Sequence, residues 1–201
     1  RGPDGPLAAG LPVHIEMVRP AFLFGTSVPY LQPWNPAPTE QRRTQYTLEL
    51  FNYAVIDFMW RQLEPARGRT DYEPLLRLAR WCREQHVHTL GHHFVWHFLP
   101  PDWLPDDPRR VEPFLEAHTR DMARMGRDLV DDWVAINESA ICATPHPSFA
   151  RSIVARWVRQ ESPVTAARKV LRWARPEVGP SRLMLNEWDR GDLLAAQLDG
   201  L

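Results

Sequence analysis

The sequence predicts an α/β fold in which a parallel sheet is layered with helices. Three observations carry this. Short apolar runs recur near residues 22, 54, 90, 134 and 184, as buried parallel strands require. Between them lie stretches whose apolar residues repeat at the helical period. Strand and helix then alternate down the chain, the pattern of a sheet covered by helices.

Taken in order, Val13, Ile15 and Met17 alternate with His14 and Glu16, the period-two signature of a strand with one exposed face. Ala21 to Gly25 reads as a short buried strand, and the prolines at 29, 33, 36 and 38 mark a loop. Thr39 is a candidate N-cap for a helix running to about Leu50. An apolar strand follows over 52–60, then a helix over 72–85 with Leu75, Leu76, Leu78, Ala79 and Cys82 on its apolar side. Residues 87–97 are strand-like. The strongest helix spans 109–129, where Val111, Phe114, Leu115, His118, Met122 and Met125 keep the helical period. The next strand covers 133–137. Helices are expected at about 148–160 and 163–175, the latter opened by Ser162-Pro163, a cap followed by an N1 proline. A fifth core strand covers 182–187, and another helix begins near 191.

Composition narrows the function classes. The 201 residues carry a net charge of −1, so no basic surface argues for nucleic acid or an anionic membrane. Hydrophobic residues make up 44%, which suits a packed core and not a disordered chain. No run approaches the roughly 18 apolar residues of a membrane span. RGPDGPLAAG at the start lacks an apolar stretch behind a basic one, so it is not read as a signal peptide. Cys82 and Cys142 are the only cysteines and imply no disulfide framework. Neither a P-loop nor a dinucleotide fingerprint is present, which argues against nucleotide chemistry.

In parallel α/β folds, sites lie at the carboxyl ends of the strands. Here those ends are polar: Asp57 and Trp60; His92, His93, Trp96 and His97; Asn137-Glu138; Asn186-Glu187-Trp188-Asp189. Each has an ordinary reading by itself, as a strand-end charge, a packing indole or a helix cap. Together they form a rim of carboxylates, imidazoles, amides and indoles. That mixture suits carbohydrate, because indole faces stack on sugar rings while the polar groups bond hydroxyls. A Glu of raised pKa can protonate a glycosidic oxygen. On an extended strand His93 and His97 share one face, which raises a metal-dependent hydrolase as a rival. No HxH or HExxH spacing accompanies them. No cofactor is called for.

With these residues in place, the chain resembles glycoside hydrolase family 10, the xylanase-type retaining enzymes built on a (β/α)₈ barrel. The resemblance runs in order through FLFGTSV at 22–28, FNYAVIDFMWRQLEPARGRTDYE at 51–73, LGHHFVWH at 90–97, WVAINES at 133–139 and RLMLNEWD at 182–189. It implies a partial TIM-type barrel of about five β/α units over residues 21–201, preceded by a short β segment at 1–20 that packs on it. It implies Glu138 as general acid/base and Asn137 as partner of the sugar hydroxyl beside the reacting carbon. His92 and Trp96 would line the subsite of the cleaved sugar with His97 beside them, and Asn186 and Trp188 would sit on the rim. The implied partner is a β-1,4-linked polysaccharide such as xylan or its oligosaccharides, and the implied location is secreted or periplasmic.

The sequence departs from the family's pattern in two places. A retaining mechanism uses a second carboxylate about 5–5.5 Å from the first. In the family that nucleophile ends the seventh strand, oriented by a sixth-strand His, and neither has a counterpart here. The 201 residues by themselves are therefore expected to be hydrolytically inactive. Ile56 and Met59 also stand where the family has polar sugar ligands. The alternative is a non-catalytic or degenerate barrel that holds sugar without forming a covalent intermediate.

Overall fold

The computed structural model describes residues 22–29, 31–144 and 147–187, together with Ala195 and Asp199, which are helical. The expected segment at 1–20, Trp188, Asp189 and the rest of the stretch after 191 lie outside the described residues. The elements are β1 (Gly25–Ser27), α1 (Pro38–Leu50), β2 (Tyr53–Asp57), α2 (Trp60–Leu63), α3 (Glu73–Glu84), β3 (His88–Trp96), α4 (Pro108–Met125), β4 (Asp132–Asn137), α5 (Ile153–Glu161), α6 (Pro163–Ala174) and β5 (Arg182–Asn186). Two 3₁₀ turns, Ala140–Ala143 and Pro147–Phe149, follow β4. Every strand pair is parallel and the spatial order is the chain order, β1 to β5. This is the winding of consecutive β/α units in a barrel.

The first strand differs from its expectation. It begins at Gly25, while Phe22, Leu23 and Phe24 are 66%, 44% and 52% exposed. Among the described residues β1 pairs with β2 alone. Ahead of it, Asn52 Oδ1 accepts from Phe24 N at 2.7 Å. Helix α1 also starts two residues earlier than a Thr39 cap implies. Pro38 sits in its first turn, and the capping residue Ala37 makes no side-chain bond. Proline's preset φ replaces the hydroxyl cap expected of Thr39. The later caps follow the sequence more closely: Ser162 Oγ accepts from Thr165 N at 3.2 Å, and Ser152 Oγ from Ala155 N at 3.4 Å.

The core lies between the sheet and its helices. Ala54, Ile56 and Phe58 on β2 and its end, Phe94 on β3 and Trp133 on β4 meet Leu76, Leu78, Ala79 and Cys82 of α3 and Val111, Leu115 and Met122 of α4. Trp133 stacks on Phe94 with ring centroids 4.5 Å apart. Its indole lies so close to β3 that a Cβ at Gly91 would fall 2.2 Å from Trp133 Cε3, so glycine is required there. Met125 was expected on the apolar side of α4 but is 48% exposed, because the helix ends with it. Both cysteines are buried, and burial pushes each thiol up to about 12, which fits inert packing groups.

On the opposite, inner face the strand starts build a polar knot. Asp132 accepts from Arg182 Nε and Nη2 at 2.6 and 2.7 Å, from Tyr53 Oη at 3.1 Å, and faces His88 Nε2 at 3.0 Å. Burial pushes the Asp132 carboxyl up, but the bonds from Arg182, His88 and Tyr53 outweigh it and hold the group below the usual carboxylate range. Burial and the Asp132 charge push the Tyr53 hydroxyl the other way.

Candidate active site

At the carboxyl ends, a hydrogen-bonded row crosses all five strands. Ser27 Oγ donates to Asp57 Oδ2 at 3.1 Å. Asp57 Oδ1 meets His92 Nδ1 at 3.0 Å, and His92 Nε2 meets Asn137 Oδ1 at 3.2 Å. Asn186 Nδ2 donates to that same Oδ1 at 2.6 Å. One residue from each of β1, β2, β3, β4 and β5 therefore joins a single chain. Strand parity explains the assembly. Tyr53, Val55 and Asp57 alternate with Ala54 and Ile56, so Asp57 shares the inner face with Tyr53.

That parity settles how β2 meets the site. Ile56 is 1% exposed and faces the helix layer, away from the rim. Asp57 holds the inner position and grips His92. Ile56 and Met59 instead line an apolar cavity of about 430 Å³ between the β1 loop, α2 and α3, with Asp57 at its edge.

On β3 the expected alternation fails. The strand carries an irregularity between His92 and Val95, and the His92–His93 peptide is cis. His93, Phe94 and Val95 are all buried in succession. His92 joins the polar row, while the His93 ring packs edge-on to Trp96 at 4.9 Å. Burial, with smaller repulsion from His92, His118 and His97, holds His93 well below its ordinary pKa. His97 is 3% exposed, its ring 4.6 Å from both Phe98 and Phe149. Neither of its nitrogens has a hydrogen-bond partner among the described residues, and burial lowers its pKa to about 4. His97 is thus a packing ring under the rim. Among the described residues no three His, Cys, Asp or Glu side chains converge as metal ligands.

Glu138 is the first residue beyond β4 and is half-buried. Its Oε2 accepts from the Trp96 indole N–H at 2.7 Å. The structure therefore brings Asp57, His92, Trp96, Asn137, Glu138 and Asn186 together at one end of the sheet. Asn137 spends its carbonyl oxygen on His92 and Asn186, and its amide nitrogen makes no bond among the described residues. The sequence does not single out Ser27; for Asp57, counting alternate positions back to Tyr53 is the signal that places it on the inner face.

The stretch from Trp60 to Gly68 is architectural. Glu64 Oε2 accepts from Trp60 Nε1 at 2.9 Å and its Oε1 from Gly68 N at 2.8 Å. Gly68 has φ +74°, which glycine adopts without cost. Trp60 stacks on His118 at 4.0 Å. The Trp60…Glu64-Pro65…Gly68 pattern thus ties the loop after β2 to α4.

Comparison with known proteins follows this geometry. The family model described as Glycosyl hydrolase family 10 matches residues 17–195. No curated protein matches by sequence. Among solved structures, xylanase 10B from Thermotoga maritima is 20% identical with a TM-score of 0.66, over 81% of this chain and 49% of that one. Xylanase 10B from Thermotoga petrophila RKU-1, in complex with xylobiose, is 18% identical with a TM-score of 0.70, over 87% and 53%. A mutant xylanase 10C from Cellvibrio japonicus in complex with xylopentaose is 16% identical with a TM-score of 0.63, over 83% and 34%. At these identities the likeness is one of fold, and the chain spans about half the length of the two Thermotoga enzymes.

Proposed function

Because the chain belongs to glycosyl hydrolase family 10, we propose that it carries the acid/base portion of a retaining endo-glycoside hydrolase that cleaves a β-1,4-linked polysaccharide such as xylan. The observation that carries this reading is the Glu138 carboxylate, fixed by Trp96 at 2.7 Å beside the amide of Asn137. Binding of xylobiose and xylopentaose by proteins of this fold supports an oligosaccharide in the same place.

Trp96 occupies Oε2, so Oε1 of Glu138 is the oxygen offered to the glycosidic bond. In the first step Glu138 protonates the departing oxygen. In the second it takes a proton from the attacking water, and the sugar leaves its covalent bond to the nucleophile. The nucleophile comes from sequence outside these 201 residues. Asn137 contributes its amide N–H to the sugar hydroxyl next to the reacting carbon, because its oxygen is already committed to His92 and Asn186. His92 works from behind, with both nitrogens engaged, and sets the orientation of Asn137. Asn186 acts in the same way from β5. Trp188 belongs to the rim on the resemblance alone. A polymeric substrate supports a secreted or periplasmic location.

The test is hydrolysis of xylan and of an aryl xylobioside by the protein as its gene encodes it. Glu138→Gln is expected to lower turnover of xylan by about 10³-fold while leaving xylooligosaccharide binding intact. Near-normal turnover in that variant would overturn the role of Glu138. Robust turnover by residues 1–201 in isolation would overturn the placement of the nucleophile elsewhere.

A further inference from the structure

We propose that Glu187 is the positioning residue of the acid/base, holding the turn that aims Glu138. The proposal rests on Glu138 being that acid/base. The φ of Glu138 is +53°, in the left-handed region that residues with a Cβ adopt rarely and keep only where their surroundings over-determine it. Those surroundings come from the end of β5. Glu138 N donates to Asn186 O at 2.7 Å. The next two backbone N–H groups, of Ser139 and Ala140, both donate to Oε1 of Glu187, at 2.8 and 3.0 Å. Ser139 Oγ adds a third bond to the same oxygen at 2.7 Å.

Three consecutive N–H groups are therefore taken by Asn186, the last residue of β5, and Glu187, the residue after it. These are the donors that open the 3₁₀ turn Ala140–Ala143, the kind that a helix start leaves without a partner of its own. A carboxylate makes stronger bonds to them than a neutral acceptor does. From inside the turn, Cys142 N donates to Ser139 O at 3.1 Å, and Cys142 Sγ lies 3.6 Å from Glu138 O. The Glu138 side chain leaves this fixed backbone toward β3, where Trp96 receives it. Two anchors thus set the acid: an indole on its carboxylate and Glu187 on its main chain. Glu187 acts on Glu138 through the backbone of Ser139 and Ala140.

The Trp96 indole N–H resonance reads this arrangement without any need for activity. A bond to a carboxylate at 2.7 Å moves the proton downfield, and Glu138→Ala supplies the unbonded reference. The experiment uses the ¹⁵N-labelled protein as its gene encodes it, with the resonance assigned by Trp96→Phe. Glu187→Ala is expected to move the resonance at least halfway to the reference. It should lower kcat/KM on xylan about thirtyfold with KM unchanged, and kcat/KM on dinitrophenyl xylobioside, whose leaving group needs no proton, less than about threefold. Glu187→Gln keeps an acceptor oxygen in place and restores the resonance and most of the turnover. Ser139→Ala removes one donor and moves the resonance in the same direction by a smaller step, so the answer does not depend on the folding of the alanine variant at 187. A Trp96 resonance unmoved by both Glu187→Ala and Ser139→Ala overturns the proposal, as does an equal loss on both substrates. A wild-type protein that hydrolyses neither substrate overturns the acid/base reading instead, and the resonance still decides whether Glu187 sets the turn.

Discussion

The two ends of the inner face are built from the same kinds of residue and finish in opposite conditions. At the amino end, Asp132 takes bonds from Arg182, Tyr53 and His88, and little of its carboxylate is left to offer. At the carboxyl end, the row from Ser27 to Asn186 uses each group once or twice, and among the described residues the amide nitrogen of Asn137 and one oxygen of the adjoining Glu138 make no bond. A saturated polar cluster holds strands together, whereas an unsaturated one can bind and react. This is the division of labour expected between the two faces of a β/α barrel. Variants at the amino end should therefore lose stability and keep kinetic constants, and variants at the carboxyl end should do the reverse.

The largest expected effect sharpens the contrast by adding a third polar set. His93, His97 and His118 are buried as neutral rings, with His97 lowered to about 4 and His118 to about 3, each chiefly by burial. Above about pH 6.5 both folded and unfolded states hold these rings neutral, and stability is whole. Below it the unfolded chain takes up protons that the folded one refuses. Stability therefore falls steadily as the pH drops toward 4. Urea unfolding at pH 7 and pH 5 should differ by several kcal/mol, on the order of 2 per ring. A flat stability over that interval would mean that these rings are not excluded from water.

Next in size is Asp132→Asn. Removing the charge leaves Arg182 without its partner, although that side chain is 64% exposed and well screened. The expected loss is about 2 kcal/mol of unfolding free energy, read as a lower Tm, with kcat and KM on xylan unchanged. A kinetic defect without a stability defect would break the comparison at this end.

The smallest effect is at Asp57→Asn. Its grip on His92 passes to Asn137 and so to the substrate. The loss should be about tenfold in kcat/KM, with Tm nearly constant. Should Tm fall by as much as in Asp132→Asn, the carboxyl-end row would be structural too.

Much of this was legible before any coordinates. The alternation of apolar runs and helical periods gave the five parallel strands, because burial on both faces leaves a continuous apolar signature. WVAINES and LGHHFVWH named Glu138, Asn137, His92 and Trp96, which do meet at one end of the sheet. Other features lay beyond local pattern. Phe22 and Phe24 are exposed among the described residues although they lie in an apolar run. The burial of His97 against Phe98 and Phe149 depends on Phe149, about fifty residues later in the chain. The work of Glu187 depends on Ser139 and Ala140, almost fifty residues earlier in the chain.

By itself, then, the sequence determined the class of fold, the strand that ends in Asn137-Glu138 and the family to which they belong, since periodicity and motif are properties of neighbours along a chain. The tertiary structure alone decided which polar groups are spent on one another and which remain free. That depends on strand register and side-chain direction, set when distant segments pair, and it separates the knot around Asp132 from the site around Glu138.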